Sequence, residues 1–359
     1  MSGSIGTNSA RRSGTIGAVA GGPTVSASDP TITTNATLGT QWANSTSGEF
    51  YVLTDATTDA NVWTNVGGGS GDIEPWAFQG ESYGYASGGG SNVIDKWTFA
   101  SDANATDVGD LSVSRQTIGG TSGNTHGYNA GGGSNSNVID KFSFSSDGNS
   151  TDVGDITVGR SDITGQSSTT NNGYCSSGSN DSGYSNVIDK YSHTSDGNAS
   201  DVGDITESKY VACGQSSSNH GYTSGGHNGS SYRDVIDKFS FSSDGNATDV
   251  EDLSVARSYS SGQSSSTHGY ASAGYTGSNS NVIDKFTFAS NAAATDVGDV
   301  TSSRRHSGGQ SSTTHGYAAG GYASSNSNVI DKVSTSSDGN STDVGDLTVA
   351  RRGCGGQQY

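Results

Sequence analysis

The sequence has little of the material from which ordinary protein cores and cross-links are made. Hydrophobic residues make up 29% of its 359 residues, and there are only three prolines, three cysteines and one methionine. No stretch approaches the roughly 20 apolar residues that a membrane-spanning helix needs, and residues 1–22 contain no apolar segment typical of a signal peptide. We therefore expect neither a membrane span nor a secretory signal.

The few cysteines also exclude two common stabilising devices. Cys175, Cys213 and Cys354 are odd in number and lie far apart in the chain. This spacing fits neither a disulfide framework nor the paired ligands of a structural zinc site. Free cysteines are among the residues most often buried, so we predict three buried free thiols.

Positive charge is scarce as well. The chain carries 17 Lys and Arg against 35 Asp and Glu, which gives a formal net charge of −18 and a pI near 4.4. Such a charge repels phosphate backbones and anionic membranes, so nucleic acid is not an expected partner. The sequence contains no His-Glu-x-x-His and no Walker motif, and a carboxylate repeated along the chain is a poor candidate for one catalytic pair. We predict no enzymatic activity and no cofactor.

What the chain does contain is a repeat of about 47 residues. An Asn-Val-Ile-Asp-Lys block, with Asp in first place in the fourth copy, begins at residues 92, 137, 186, 234, 281 and 328. We number these copies repeat 1 to repeat 6. A period in this range is typical of repeat architectures, in which each unit buries its apolar surface only against its neighbours.

Each repeat contains four short strand candidates, which we call a, b, c and d. In repeat 3 they are residues 163–167, 172–177, 186–193 and 200–206, and a Ser-Asp-Gly-Asn turn joins c to d. Glycine interrupts nearly every possible helix, which favours an all-β fold. Four-stranded units of this length protect their edges by radial stacking, so residues 71–359 are predicted to form a six-bladed β-propeller.

Two internal distances separate the constant part of the repeat from its variable part. The Asp of Val-Ile-Asp-Lys precedes a closing basic residue by 20 positions in all six copies, from Asp95 and Arg115 to Asp331 and Arg351. The distance from the tyrosine of strand b to the next Asn-Val-Ile block is instead 7, 9, 12, 12, 11 and 11 residues. Length variation is therefore concentrated in the b–c loop.

The last residues of the chain supply one further strand a. Two terminal segments could serve as this strand: Gly353-Cys-Gly-Gly-Gln and the segment that begins at Trp76. The first is more similar to the internal strand a that begins at Gly308. Strands b, c and d occur six times, so only one of the two terminal copies of strand a completes the set. We predict that the C-terminal segment is the inner strand of the first blade and closes the ring.

The repeats resemble the kelch family. The resemblance covers about residues 71–359 and consists of a Gly-Gly pair after strand b (Gly88-Gly89, Gly131-Gly132, Gly225-Gly226 and Gly320-Gly321), then Val-Ile-Asp, then a basic residue before the next strand. Repeats 3 and 5 have a single glycine at this point. Asp-Val-Gly-Asp stands where kelch repeats have a tryptophan in strand d. The resemblance implies a kelch-like propeller that departs from the standard kelch repeat.

The N-terminal region differs in composition from the repeats. Residues 1–35 are rich in Ser, Gly and Thr, which predicts an extended arm that orders against a partner or remains a disordered tail. Residues 36–70 contain three strand-like runs, beginning near Leu38, Gly48 and Asn61, which predict a small β module.

Both parts of the chain resemble components of bacteriophage particles. The module is similar to a short segment of tail and fibre proteins, and the repeats resemble those in virion proteins of phages that infect cyanobacteria. The resemblance implies a virion location and a non-enzymatic tail or fibre-type role in host attachment or as a rigid spacer. Other virion proteins are the implied partners of the arm and module, and a host glycan or protein is the implied partner of the propeller. Copies of the chain also assemble as a homo-oligomer in this interpretation. A capsid decoration or connector protein is the alternative, and a carbohydrate-processing propeller is a third hypothesis.

The b–c loops hold the residues that best fit a receptor site, because a constant framework with variable loops commonly displays binding residues. The opposing interpretation is that these loops vary only because solvent tolerates it. The candidates are Tyr184, His227, Tyr232, Arg233, Tyr275 and Tyr322.

One closing basic residue recurs in every repeat, and two roles suit this pattern. The residues form an anion-binding ring, or each pairs with the Asp of a Val-Ile-Asp-Lys block and links two blades. We predict the buried ion pairs. The six residues are Arg115, Arg160, Lys209, Arg257, Arg304 and Arg351.

Two repeated patterns raise the question of a metal. His126, His220, His268 and His315 precede the Gly-Tyr of strand b, but other residues stand there in repeats 1 and 3. Ser-Asp-Gly-Asn-x-Thr-Asp supplies oxygens of the kind that calcium binds, but it lacks the EF-hand spacing. We predict hydrogen-bonded hairpins and no metal site, with calcium at these turns as the alternative.

Overall fold

The computed structural model describes residues 22–66 and 78–359. The chain divides into two compact units, Met1–Pro75 and Trp76–Tyr359. The described residues contain strands and turns and no helix, and the larger unit has an all-β, propeller-like fold. Within the described ranges there is consequently no helix with the length and apolar character needed to cross a membrane.

The first unit contains one four-stranded sheet in the order β1-β2-β3-β4, in which β1 and β2 are parallel and the other pairs are antiparallel. Its apolar side is formed by Tyr51, Leu53 and Trp63, with Trp42 packed edge-on against Trp63 at a ring distance of 5.9 Å. The strands are β1 (Thr24–Ser26), β2 (Gln41–Asn44), β3 (Phe50–Asp55) and β4 (Val62–Asn65).

The three strands predicted between residues 36 and 70 are confirmed as β2, β3 and β4, but the sheet begins earlier than the predicted boundary at residue 35. Strand β1 lies in the segment whose composition predicts an arm. Asn61 holds this segment in place, because its side-chain amide donates to the carbonyl of Ile32 and to Asn35, both at 2.7 Å. Strand β1 buries almost no apolar surface, so the composition of this segment does not predict a strand. Residues 1–21 lie outside the described residues.

In the second unit, each of the six repeats forms one four-stranded antiparallel sheet. Repeat 1 contains β30 (Cys354–Gln358), β5 (Tyr83–Gly88), β6 (Ser91–Thr98) and β7 (Thr106–Arg115). Repeat 2 contains β8 (Gly119–Ser122), β9 (His126–Ala130), β10 (Val138–Ser143) and β11 (Thr151–Asp155). Repeat 3 contains β12 (Thr164–Ser167), β13 (Asn172–Ser176), β16 (Val187–Ser192) and β17 (Ser200–Asp204), with a hairpin of β14 (Ser179–Asn180) and β15 (Gly183–Tyr184) in its b–c loop.

The other three sheets repeat the same order of strands a, b, c and d. Repeat 4 contains β18 (Cys213–Ser216), β19 (His220–Ser224), β20 (Val235–Ser240) and β21 (Thr248–Asp252). Repeat 5 contains β22 (Ser261–Ser264), β23 (His268–Ser272), β24 (Val282–Thr287) and β25 (Thr295–Asp299). Repeat 6 contains β26 (Gly308–Ser311), β27 (His315–Ala319), β28 (Val329–Ser334) and β29 (Thr342–Asp346).

The C-terminal strand belongs to the first sheet, as the sequence predicts. Strand β30 is antiparallel to β5, with Cys354 opposite Gly88 and Gln358 opposite Gly84. The first strands of the six sheets contact one another in a closed cycle, β8 to β12, β18, β22, β26, β30 and back to β8. The last residues of the chain therefore complete a sheet whose other strands lie at its beginning.

The apolar core lies between neighbouring sheets. One cluster joins Ala86 and Trp97 of repeat 1 to Tyr317, Ile330 and Leu347 of repeat 6. Equivalent clusters combine residues of adjacent repeats around the cycle. Because each sheet shares its apolar surface with a neighbour, a chain with only 29% hydrophobic residues still excludes water from several thin cores.

Glycine is required where the innermost strands converge. A Cβ added to Gly262 would lie 2.0 Å from the carbonyl oxygen of Gly214, and one added to Gly309 would lie 2.1 Å from that of Gly262. These separations are too short for any side chain, so the backbones of neighbouring sheets approach each other directly. Glycines of these strands line two cavities, one toward each end of the strands, and we call the space along this axis the central channel.

Candidate functional site

The two ends of the channel are built from different connections. Each strand a begins near the d–a and b–c loops, which we call the loop end, and finishes at the a–b turn. The cavity at the loop end is lined by Thr117 and His306, among others, whereas the cavity at the far end is lined by Phe78 and the serines that finish strand a. Phe78, the first described residue of the second unit, thus lies at the end opposite the b–c loops.

A closed ring of backbone hydrogen bonds surrounds the channel at the loop end. The residue two positions after each closing basic residue donates its N–H to the corresponding carbonyl of the preceding repeat, at 2.7–3.1 Å. All six have φ between 52° and 69°. Such φ values are unfavourable for a β-branched residue, and the inter-repeat hydrogen bonds offset that cost. The ring consists of Thr117, Asp162, Val211, Tyr259, His306 and Gly353.

Two ring members give one wall of the channel mouth an aromatic, uncharged character. The ring of Tyr259 meets that of His306 edge-on at 3.9 Å, beside a cavity of about 110 Å³. Burial, and then the positive charges of Arg352 and Arg305, lower the pKa of His306 to about 3. Burial raises the pKa of Tyr259 to about 12. Both side chains are therefore neutral near pH 7.

Outside this mouth, aromatic side chains from successive loops contact one another. Tyr184 stacks on Tyr210, with ring centroids 4.6 Å apart and planes 6° apart. His227 meets Tyr210 at 5.6 Å and Tyr232 at 5.1 Å, both edge-on. Tyr232 in turn meets Tyr275 at 5.8 Å. These contacts join residues of repeats 3, 4 and 5 into one continuous row.

Two arginines continue the row to the end of repeat 6. The guanidinium of Arg305 lies 4.4 Å from the ring centroid of Tyr275 and 5.2 Å from that of Tyr322. The guanidinium of Arg352 lies 4.7 Å from the ring centroid of Tyr322. We call the whole row the aromatic arc. It consists of Tyr184, Tyr210, His227, Tyr232, Tyr275, Arg305, Tyr322 and Arg352.

The backbone holds the aromatic arc in place. Tyr210 and His227 exchange two backbone hydrogen bonds at 3.0 and 3.1 Å, and Arg305 and Tyr322 exchange two at 2.7 and 3.0 Å. The d–a connections that lead into repeats 3, 4, 5 and 6 are each paired in this way with the b–c loop of the repeat that follows. The side chains stand on short paired segments, which costs less conformational entropy on binding than ordering a free loop would.

The aromatic arc is confined to one part of the loop end. The positions that follow the closing basic residue are Gln116, Ser161 and Ser258 in repeats 1, 2 and 4, whereas they are Tyr210, Arg305 and Arg352 in repeats 3, 5 and 6. The residues that correspond to His227, Tyr275 and Tyr322 are Gly90 in repeat 1, Gly133 in repeat 2 and Ser179 in repeat 3. The repeats are thus nearly equivalent in their strands and different on this surface.

Five of the six candidate receptor residues lie in the aromatic arc, and Arg233 does not. The Nε of Arg233 donates to Glu207 at 2.5 Å, which gives it a carboxylate partner beside the row. The sequence prediction omits Tyr210, Arg305 and Arg352. The signal that was available is their position directly after a closing basic residue, in the d–a connection that the b–c loop pairs with.

The closing basic residues each form an ion pair with the Asp of the following repeat, as the sequence predicts. The side chains of all six pairs are at most 2% exposed. Because each of these six basic residues already has a carboxylate partner, they do not form an anion-binding ring. The pairs are Arg115–Asp140 (2.7 Å), Arg160–Asp189 (2.7 Å), Lys209–Asp237 (2.8 Å), Arg257–Asp284 (3.1 Å), Arg304–Asp331 (2.8 Å) and Arg351–Asp95 (2.9 Å).

The Ser-Asp-Gly-Asn turns also connect neighbouring sheets. The Asp of the turn pairs with the Lys of the Val-Ile-Asp-Lys block in the preceding repeat, as in Lys96–Asp147 at 3.0 Å. The Asn side chain accepts the N–H of the preceding strand d, as Asn149 does from Asp110 at 3.1 Å. Asn291 replaces this Asp in repeat 5, and Lys238 has no carboxylate partner among the residues that the structure describes. The oxygens considered for calcium thus make inter-repeat contacts.

The histidines of strand b stand at the first residue of β9, β19, β23 and β27 and are part-buried. Burial lowers the pKa of His126, His220, His268 and His315. Over residues 22–66 and 78–359, no three His, Cys, Asp or Glu side chains are grouped so as to hold a metal ion. The three cysteines are buried and free, which confirms their predicted state.

A buried histidine interrupts the aromatic packing between repeats 2 and 3. His193 stands where Phe144 and Phe241 stand in other repeats, stacks on Tyr128 at 4.4 Å and contacts Thr121 Oγ1 through Nε2 at 3.0 Å. Burial lowers the pKa of His193 to about 3, whereas an unfolded histidine titrates near 6.5. The unfolded chain therefore binds the proton more readily.

This burial predicts a loss of stability in acid. The contribution of neutral His193 is fully present above pH 6.5 and falls as the pH decreases toward 3, because only the unfolded state takes up the proton in that range. Between pH 7 and pH 5 this histidine should cost about 2 kcal/mol in the free energy of unfolding, at about 1.4 kcal/mol per pH unit below 6.5. In denaturant titrations, His193→Phe should lose about 2 kcal/mol less than the wild type over this interval. Parallel pH profiles for the two proteins would contradict the assignment.

The segment from Gly80 to Gly84 matches the spacing Gly-x-Ser-x-Gly of a hydrolase nucleophile elbow. Its Ser82 leads into β5, and its backbone N–H donates to the carbonyl of Tyr359 at 2.6 Å. An elbow requires a sharp strand-to-helix turn that exposes the serine. The described residues contain no helix, so this match lacks the structural context of a nucleophile.

Comparison with known proteins adds no identity to these observations: no protein-family model matches the chain, and no curated protein matches it significantly.

Proposed function

We propose that the chain is a non-enzymatic virion protein of a bacteriophage, a tail or fibre-type appendage that presents a six-bladed kelch-like β-propeller to the host or uses it as a rigid spacer. The resemblance of its repeat sequences to those of phage virion proteins supports the location on the particle. The closed cycle of contacts among the first strands of repeats 1–6 supports the six-bladed count. In this proposal the N-terminal region binds other virion proteins.

The observation that carries the attachment role is the aromatic arc. Tyrosine and arginine are the residues most often found where binding energy is concentrated, because they combine a large contact area with a polar or charged group. Here they are gathered on the loop end of repeats 3–6, on a framework held by buried ion pairs. A spacer alone would not require this concentration on one part of the surface.

Immunogold electron microscopy of purified particles tests the location, with antibodies raised against the second unit. Label at a tail or fibre tip is the expected result. Label distributed over the head would replace the proposal with a capsid decoration protein. Intact particles without label, when the protein is detected after disassembly, would indicate a buried connector.

A substitution tests the attachment role directly. Replacement of Tyr232 and Arg233 by alanine should weaken adsorption of particles to host cells by about tenfold, as expected for loss of a central contact residue. The matched control is the double replacement of Gln116 and Ser161 by alanine, on the same end of the channel but outside the aromatic arc. Equal adsorption of both variants, with unchanged melting temperatures, would remove Tyr232 and Arg233 from the attachment site.

A further inference from the structure

We propose that the aromatic arc binds an acidic polysaccharide, a chain of sugars that carry carboxylate groups. The inference deepens the proposed attachment function and rests on it for its biological meaning, but the binding itself is a property of the isolated protein. Three features of the arc carry it: partly exposed tyrosine rings, guanidinium groups without carboxylate partners, and continuity across several repeats.

The partly exposed tyrosines suit sugars. Tyr184 is 43% exposed, and the other tyrosines of the arc are half-buried, so each presents part of its surface to solvent. An aromatic face carries partial negative charge and attracts the positively polarised C–H groups on the flat side of a pyranose ring. A phenol hydroxyl both donates and accepts hydrogen bonds, as sugar hydroxyls do. Tyrosine therefore satisfies both the apolar and the polar side of a sugar.

The arginines define the charge of the ligand. Arg305 and Arg352 form no ion pair with a carboxylate in the ranges 22–66 and 78–359, although the chain carries a net charge of −18. The guanidinium of Arg305 lies over Tyr275 and Tyr322, and that of Arg352 lies over Tyr322. NH1 of Arg305 also donates to the side-chain oxygen of Asn279 at 3.3 Å. A planar fork of N–H donors matches a carboxylate in a bidentate arrangement.

The arrangement of the arc favours a polymer over a small molecule. Its rings follow one another at centroid distances of 4.6–5.8 Å from repeat 3 to repeat 5, and the arginines extend it through repeat 6. Neither of the two channel cavities is lined by these residues. A linear chain that passes along the loop end would contact successive rings with successive sugars, and would reach Arg305 and Arg352 with its carboxylates.

The experiment uses the full-length protein and two uronate polymers, polygalacturonate and alginate, in calorimetric titrations. Fully methyl-esterified polygalacturonate is the matched ligand, because it keeps the sugar rings and removes the charge. The expected result is binding of at least one uronate polymer that weakens at least tenfold on esterification and weakens with added salt. Absence of binding to both polymers, or equal binding of the charged and esterified forms, would overturn the proposal.

Matched substitutions locate the site. Arg305→Gln and Arg352→Gln should each weaken binding about tenfold, and Arg305→Lys should recover only part of the loss because it keeps the charge without the planar fork. Lys238→Gln is the control, since it removes another cation without a described carboxylate partner, located on strand c outside the arc. Equal effects of Lys238→Gln and Arg352→Gln would indicate nonspecific attraction and overturn the proposal. If Tyr232 is needed for adsorption while neither polymer binds, the attachment function survives and the acidic ligand is rejected.

Discussion

Removal of residues 353–359 should lower the melting temperature of the protein by roughly 10–20 °C. The deletion takes away β30, which supplies the first strand of the sheet of repeat 1 and contacts β8 and β26 on either side. The buried side chain of Gln357 makes two of the hydrogen bonds that would be lost. Its oxygen accepts from the hydroxyl of Ser87 at 2.8 Å, and its amide donates to the carbonyl of Tyr128 at 3.1 Å. The loss also opens the closed ring of hydrogen bonds in which Gly353 participates.

The magnitude follows from the number of bonds and the length of the unit. A net contribution near 1 kcal/mol for each buried hydrogen bond gives a loss of at least about 5 kcal/mol. For domains of this size, 1 kcal/mol corresponds to a shift of about 2–4 °C. Differential scanning calorimetry of the truncated and full-length chains measures the effect. A synthetic peptide of residues 353–359 should restore part of the loss when it is added to the truncated protein. An unchanged melt would show that the ring does not depend on this strand.

Replacement of Asp189 by alanine should cost about 3–5 kcal/mol in the free energy of unfolding, the range for breaking a buried ion pair by removal of one partner. Asp189 accepts from NH1 of Arg160 at 2.7 Å and from the hydroxyl of Thr157 at 2.6 Å, and neither side chain of the ion pair is exposed. Without this carboxylate, the Arg160 guanidinium remains buried and charged between repeats 2 and 3.

An exposed pair of the same two sheets provides the control. Lys141 and Asp196 are 2.5 Å apart, but their side chains are 22% and 57% exposed. Surface pairs of this kind contribute about 0–1 kcal/mol, so Asp196→Ala should have a small effect. Urea titrations of the two variants measure both values. Adding Arg160→Met to Asp189→Ala should recover much of the stability, because it removes the uncompensated charge. Similar losses for Asp189→Ala and Asp196→Ala would contradict the role assigned to burial.

Most of the repeated part of the fold was predictable from the sequence because its determinants recur at constant spacing. The constant separation of Asp95 from Arg115, and of its counterparts, indicates a c–d hairpin of fixed length and places both charges at equivalent points of every repeat. The similarity of the segment at Gly353 to the one at Gly308 identifies the strand that closes the first sheet. These signals are local or periodic, so they survive without knowledge of the tertiary structure.

The candidate site was only partly predictable, for reasons that particular residues make clear. The variable b–c loops indicate Tyr184, Tyr275 and Tyr322, but nothing local to Arg305 or Arg352 indicates that each guanidinium lies against a tyrosine from another loop. In the same way, no local propensity predicts a positive φ at Val211, which adopts it to donate a hydrogen bond to Asp162 of the preceding repeat. Contacts between distant segments decide both features.

The sequence by itself determined the number of repeats, the order of strands within each one and the pairing of buried charges, because periodic spacing records which residues meet in equivalent places. Only the tertiary structure decided which loops come together as the aromatic arc and that β1 joins the N-terminal sheet. Those features depend on the approach of segments that share no period, and their stabilisation comes from ring contacts and hydrogen bonds that exist only once the sheets have packed.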